Sequence, residues 1–293
     1  MRIVSLPDVS RAQRRVAVGT FDGVHLGHRE VIAGCDSVLT FDPHPVSVVA
    51  PTHAPKLLTD LPRKAALIET LGVADLIVIP FDQQFANLEA DAFIEQVLVE
   101  RIGAVHVSVG ENFTFGHRAQ GNPALLQADT RFSTTVHPLL EIDGEIVSSS
   151  HIRGLIAAGE VEHAARFLGA PFALAGEVRH GDARGRHLGF PTANLVPDER
   201  LACPGHGVYA CRAGEHLAAV SIGVRPTFET GRAELIEAYL LDFDGDLYGS
   251  TLELCFLERL RGERRFESAQ ALVEQMHLDV QRTREIGAAR ERD

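Results

Sequence analysis

Cysteine and lysine are both scarce in this sequence of 293 residues. The four cysteines, Cys35, Cys203, Cys211 and Cys255, are scattered without a C-x-x-C pair, which argues against a zinc ribbon and against a disulfide framework. Lys56 and Lys64 are the only lysines, so 26 of the 28 basic residues are arginine. Neither lysine follows a glycine-rich loop; a Walker A phosphate cradle is excluded, and any use of ATP requires another architecture. Basic residues are also outnumbered, 28 to 40, for a formal net charge of -12. No global positive field can draw in a nucleic-acid backbone, and anionic substrates must be held by local groups. No stretch approaches the ~20 apolar residues of a spanning helix, and residues 1–15 contain no apolar signal core. The expectation is a cytoplasmic protein without nucleic-acid or membrane partners.

What is present suffices for ordinary globular cores, with 45% hydrophobic and 23% charged residues. At ~100 to 200 residues per domain the length predicts two domains. The first half alternates short β-branched runs (16–18, 38–41, 76–79, 105–109) with helical patterns such as 62–71 and 90–102. That alternation predicts a parallel sheet covered by helices, with ligands beyond the carboxyl ends of its strands. The segments 19–28, 42–45 and 110–115 are therefore the ones to watch. Helices are signalled over 149–158 and 161–168, the second stopped by Gly169. Beyond Pro171 the texture changes to alternating runs (174–178, 208–212, 217–222, 236–241, 252–257) without helices between them, which predicts an antiparallel barrel or sandwich. An amphipathic segment over 268–286, with Leu272, Met276, Val280 and Thr283 on one side, should pack on it. The expected domains are 1–169 and 170–293.

The strongest local signal is G-T-F-D-G-V-H-L-G-H at 19–28, directly after a strand and before a short helical run. A glycine turn leading into a helix amino terminus offers free N–H groups and a favourable dipole to phosphate oxygens. Two histidines there, His25 and His28, could follow charge developing on a phosphoryl group. The structural alternative is one core and one loop histidine; the metal alternative would use the H-x-x-H spacing with Asp22 and His44 as further ligands.

Further elements follow in order: T-F-D-P-H-P at 40–45, V-G-E-N-F-T-F-G at 109–116, S-S-S-H-I-R at 148–153, G-F-P-T-A-N at 189–194, G-V-Y-A at 207–210 and L-D-F-D-G-D-L-Y-G at 241–249. The H-x-G-H element resembles the nucleotidyltransferase superfamily, and the ordered set resembles the bacterial bifunctional riboflavin kinase/FMN adenylyltransferase (FAD synthetase) family over almost the whole chain. The resemblance implies a Rossmann-like nucleotidyltransferase domain, then a kinase β-barrel with a C-terminal helix. It also implies riboflavin, FMN and ATP as substrates, with Mg²⁺. In the first domain it implies His25 and His28 as catalytic. Gly19, Phe21, Asp22, Gly27, Ser149, Ser150 and Arg153 would contact ATP, and His44, Asn112, Phe113 and Phe115 the flavin. Plain helix capping remains open for the two serines, and a core role for the two phenylalanines. In the second domain it implies Glu237 as general base, Thr192 and Asn194 on magnesium and phosphate, and Gly181 and Gly189 on the ATP side. An isolated Glu in an alternating strand otherwise reads as a solvated face.

Asp242, Asp244, Asp246 and Glu253 mimic EF-hand spacing, but Leu247 stands where glycine is required, and Asp244-Gly245 reads better as a hairpin turn. The segment between His28 and Ser37 is shorter than the family's usual first helix and connection. This leaves open a kinase whose first domain has lost adenylylation; a flavin-nucleotide binding module without turnover is the alternative from another class.

Overall fold

The computed structural model describes residues 1–180, 189–225 and 233–290, with side chains described outside 224–225 and 233–234 as well. The chain divides into two compact units, Met1–Ser149 and Ser150–Asp293.

The first unit is a parallel sheet of six strands in the order β1-β4-β3-β2-β5-β6. They are β1 (Arg2–Ser5), β2 (Arg14–Val18), β3 (Ser37–Asp42), β4 (Asp75–Pro80), β5 (Ala104–Gly110) and β6 (Ser133–His137). Side chains alternate across the strands. Val16, Val18, Leu39, Phe41, Ile77 and Ile79 face one core, whereas Ala17, Val38 and Leu76 face the other. Helices α1 (Leu26–Ile32) and α3 (Leu61–Glu69) close the second core with Val31, Ile32, Ala65 and Ile68. The first is closed by α5 (Ala90–Ala92), which runs on as a π-helical stretch, Phe93–Ile102, and by α6 (Pro123–Ala128). The π stretch ends on Gly103 at φ 73°, where a Cβ would also collide with the Ala12 carbonyl. Short helices α2 (Pro45–Val49) and α4 (Gln83–Ala86) and the paired β7 (Glu141–Ile142) and β8 (Glu145–Ile146) complete the unit.

Strand order positions the site. From β2 the chain winds outward through β3 to β4, then returns to place β5 on the other side of β2. The switch point is therefore the gap between the carboxyl ends of β2 and β5, where a ligand crevice forms in open α/β sheets. The 19–28 loop leaves β2 there and the 110–116 loop leaves β5 beside it.

The second unit begins at Ser150, the second residue of α7 (Ser149–Ala158), and continues with α8 (Val161–Leu168), which ends on Gly169 in the left-handed conformation. A closed antiparallel barrel follows in the order β10-β13-β12-β11-β14-β9. Its strands are β9 (Ala173–Arg179), β10 (Ala193–Pro197), β11 (Gly207–Ala213), β12 (His216–Arg225), β13 (Ala233–Leu240) and β14 (Thr251–Arg261). The final helix, α9 (Ala269–Arg290), packs on β11, β12 and β14. Its buried face runs through Asp279, Thr283, Ile286 and Gly287, with Leu272, Met276 and Val280 half-buried beside it. Asp279 is tolerated inside because Arg261 grips both its oxygens, with Nε at 3.1 Å from each and Nη2 at 2.8 Å from Oδ2.

Three expectations are corrected. The sequence reading missed β1, β6 and β10, which are short or polar; β10 and β6 are recognisable only from their pairing partners. Strand β13 starts earlier than the 236–241 run, so Glu237 is central in it. The Asp244-Gly245 turn is not a hairpin, because β13 and β14 are not neighbours: β13 pairs with β10 and β12, β14 with β9 and β11.

Candidate active sites

In the first unit, β2 delivers the chain into a turn whose shape is set by close packing. A Cβ on Gly19 would stand 3.0 to 3.3 Å from the Phe21 ring. Phe21 and Val24 both adopt positive φ, 48° and 42°, which for a β-branched residue such as Val24 is a true outlier. Such backbone persists only where the surroundings over-determine it. Here they do so through Asp22, 2% exposed, whose Oδ1 accepts from the N–H groups of Leu58 (2.9 Å) and Thr59 (3.1 Å). The Gly23 N–H donates to Thr59 Oγ1 at 3.1 Å, and the Ser149 hydroxyl donates to the Asp22 carbonyl at 2.9 Å. Asp22 thus locks the turn by its side chain, which turns inward to the backbone of the 58–59 segment.

The turn ends at His25, the N-cap of α1, whose Nδ1 accepts from the His28 N–H at 3.2 Å. A neutral His25 with Nδ1 accepting carries its proton on Nε2, which makes that atom a donor. The His25 and His28 rings stack, centroids 3.5 Å apart and 15° from parallel, and Phe21 meets His28 edge-on. Burial pushes the His28 imidazole well below its usual range, and His25 and Lys64 push the same way. His28 is accordingly neutral at physiological pH. The residue as a whole is half-buried, and Nδ1 is enclosed and has no hydrogen-bond partner among the described residues. Gly27 sits against the His25 ring, where an added Cβ would be 3.4 Å away, an ordinary contact. The N-terminal turn of α1 is intact, and the helix ends at Ile32.

Two other loops reach the same sheet edge. After β3, His44 caps α2, its Nδ1 accepting from the Val46 N–H at 3.2 Å. After β5, Asn112 is exposed and Phe113 half-buried. Phe115 is 6% exposed, stacked on Phe113 and tilted against Phe93, with Gly121 pressed beneath its ring. That enclosure makes it a core ring that backs Phe113. Ser149 and Ser150 open α7, and Arg153 Nη2 donates to Ser150 Oγ at 3.1 Å.

In the second unit, Asn194 and Glu237 are direct cross-strand partners in the β10–β13 pair. Both are half-buried on the face opposite Leu195, Ile236 and Ala238, which are buried. Opposed residues of an antiparallel pair hold their Cβ atoms about 4.5 to 5.5 Å apart. An amide and a carboxylate are thereby brought side by side by register alone. Thr192 lies two residues before Asn194, half-buried, and Gly189 has φ 85°. Gly181 lies outside the described residues. The sequence reading missed the aromatic group beside this pair: Tyr239, two residues along β13 and hence on Glu237's face, meets Phe190 edge-on at 5.1 Å, and Phe190 meets His277 of α9 at 5.0 Å. Among the described residues no cluster of three or more His, Cys, Asp or Glu could hold a metal ion. The H-x-x-H metal alternative and the EF-hand mimic both fall with that observation. Asp242 is instead engaged by Arg284, Nη2 to Oδ1 at 2.8 Å.

A histidine pair at the switch point of a parallel sheet, followed by a six-stranded barrel carrying an amide–carboxylate pair, defines a two-part nucleotide-handling enzyme. The FAD synthetase family matches residues 9–151 and the riboflavin kinase family residues 168–287. The bifunctional riboflavin kinase/FMN adenylyltransferase of Listeria monocytogenes is 38% identical over 286 residues, covering 92% of this chain and 91% of that protein. The Escherichia coli K12 protein of the same description is 35% identical over 289 residues, with 92% of each covered. A crystal structure described as a macrolide-efflux protein from Streptococcus pneumoniae superimposes with TM-score 0.87 at 30% identity, covering 96% of this chain and 98% of that one. Among the described residues of the present chain no helix is long and apolar enough to cross a membrane. The chain belongs to the bifunctional riboflavin kinase/FMN adenylyltransferase family.

Proposed function

We propose that the chain makes flavin nucleotides in two steps, phosphorylating riboflavin with ATP to FMN and adenylylating FMN with ATP to FAD and pyrophosphate. The observation that carries this is the fall of the two family matches on two separate folds, each with its own candidate site. We place the functional boundary at 1–169 and 170–293, because the kinase match begins at residue 168. The loss of adenylylation through the short segment after His28 is not adopted, because the FAD synthetase match spans this segment and the first turn of α1 is in place.

In adenylyl transfer the nucleophile is an FMN phosphate oxygen, already anionic. It forms a bond to the α-phosphorus of ATP as the bond to pyrophosphate breaks, and no general base is needed. His25, through Nε2–H, and His28 donate to the oxygens on which charge develops. The α1 amino terminus with Gly19, Phe21 and Gly27 forms the phosphate-side wall, with Asp22 shaping it. Ser149, Ser150 and Arg153 are the proposed triphosphate ligands, and His44, Asn112 and Phe113, backed by Phe115, line the flavin end.

In the kinase the nucleophile is the neutral terminal hydroxyl of riboflavin, so a base is required. Glu237 takes the hydroxyl proton as the oxygen bonds to the γ-phosphorus and ADP leaves. Mg²⁺ fits here: Thr192 and Asn194 offer hard oxygen donors, and the ion favours few protein ligands combined with substrate phosphates. Bound magnesium would neutralise phosphate charge. Gly181 and Gly189 belong to the proposed ATP-side loop, and Tyr239, Phe190 and His277 offer ring faces and edges to a flavin. The proposed partners are these small molecules alone, in the cytoplasm. Product analysis after incubation with riboflavin, ATP and Mg²⁺ tests the reading. FAD is expected; FMN alone would refute adenylylation, and the absence of both would refute turnover.

A further inference from the structure

Only two lysines occur in the chain, and one of them, Lys64, is 7% exposed. A lysine that far inside must be paired or must do something. It projects from α3 toward the 19–28 turn, and its Nζ donates to the Thr20 carbonyl at 2.7 Å. The same carbonyl accepts from the Thr40 hydroxyl of β3 at 3.1 Å. Lys64 is therefore one end of a set of stitches between the turn and the 58–64 segment. The others are the Leu58 and Thr59 N–H groups on Asp22 and the Gly23 N–H on Thr59. It is the cationic member of the set. The turn it holds carries the two positive-φ residues, Phe21 and Val24, immediately before His25.

We infer that Lys64 is a positioning residue for adenylyl transfer: its ammonium fixes the Thr20 carbonyl, and with it the strained turn that sets the stacked His25 and His28 rings against the phosphates. The inference rests on the adenylyl-transfer function proposed above. Electrostatics add a second consequence. The groups facing His28 are His25, Lys64 and the Phe21 ring edge; those facing Lys64 are Asp22, Asp42 and the Thr20 carbonyl. The Lys64 charge helps to hold His28 neutral, and burial lowers the affinity of Lys64 for its own proton while Asp22 and Asp42 raise it. A neutral lysine analogue should therefore let His28 titrate closer to its ordinary range.

The test uses the full chain with Lys64→Met and Lys64→Arg, measuring FAD formation from FMN and ATP, riboflavin phosphorylation, and the His28 ring titration by NMR. Lys64→Met should lower kcat for FAD by about 10- to 100-fold, as for loss of a charge-assisted hydrogen bond, and leave riboflavin phosphorylation unchanged. The His28 titration should move to higher pH, and Lys64→Arg should restore part of the rate. Should Lys64→Met not fold, Thr40→Val removes the other donor on the same carbonyl with similar shape, and a several-fold loss of FAD turnover is expected. A folded Lys64→Met protein with unchanged FAD turnover and unchanged His28 titration would overturn the inference alone. Unchanged turnover in Thr40→Val would do the same where the methionine variant does not fold. A wild-type chain that makes no FAD would overturn both the inference and the function beneath it.

Discussion

Replacing Glu237 by Gln is the sharpest way to separate the two activities. The change keeps the shape and hydrogen-bonding reach of the side chain but removes its capacity to take a proton. Glu237 is half-buried, and its strand neighbours Ile236 and Ala238 carry the buried contacts, so the barrel has little reason to move. Stability should change within about 0.5 kcal/mol, the range for substitutions outside a core. Loss of a general base lowers a rate about 10² to 10⁴-fold, equivalent to roughly 2.7 to 5.5 kcal/mol of barrier. Riboflavin phosphorylation should fall by that factor with an unchanged melting curve. FAD formation from supplied FMN should persist, because its phosphate nucleophile needs no base. Chromatographic separation of riboflavin, FMN and FAD after timed incubation reads both steps in one sample. Equal loss of both activities in a folded Glu237→Gln protein would refute the assignment of two sites, and an unchanged kinase rate would refute the base.

Thr192→Ala or Asn194→Ala should cost the kinase at least ~10²-fold in turnover, measured under saturating ATP and Mg²⁺, because each removes an oxygen donor to transition-state charge. His28→Ala should remove most FAD formation and spare FMN formation, as the same product assay would record. Because the folded pKa of His28 lies below its unfolded value, the unfolded chain gains the proton first on acidification; stability is unaffected above about pH 6.5 and declines as pH falls from there toward the folded pKa. A His28→Phe protein should show a shallower loss in urea melts across that window, and equal slopes would contradict the enclosed neutral ring. A fragment starting at Ser150 should fold and phosphorylate riboflavin. One starting at Pro171 should melt at lower temperature, since it loses the α8–β14 packing and the Ala158 carbonyl that accepts from Arg259 Nη1 at 3.2 Å. Equal melting temperatures would show that α7 and α8 do not support the barrel.

Much of the architecture is local in origin and was legible before any coordinates. Short continuous apolar runs in the first half, buried on both faces of the sheet, and the uninterrupted series of alternating segments after Pro171 reflect what each strand buries, and each residue's neighbours in the chain reveal it. The histidine pair is local too, since a helix cap and the third residue beyond it are fixed by spacing. The family motifs carried candidate groups further than physics alone would, above all Glu237, whose pattern in isolation is that of a solvated strand face.

What tertiary structure decided is non-local. Asn194 and Glu237 become partners through the register of two strands 43 positions apart in the chain. No local pattern encodes a register, which depends on how the barrel closes. The supposed hairpin at Asp244-Gly245 fails for the same reason: good turn residues say nothing of whether the strands they join lie side by side. Asp22 and Phe115 sit inside motifs, but the partners of their side chains come from elsewhere in the chain: backbone N–H groups of the 58–59 segment for one and the Phe93 side of the core for the other. Lys64, dismissed in the sequence for lacking a glycine-rich loop, gains its place only because α3 folds back across the end of β2. Direction of a side chain and the partner it finds are properties of the packed molecule, and the sequence by itself settles only which residues are near enough to compete for those roles.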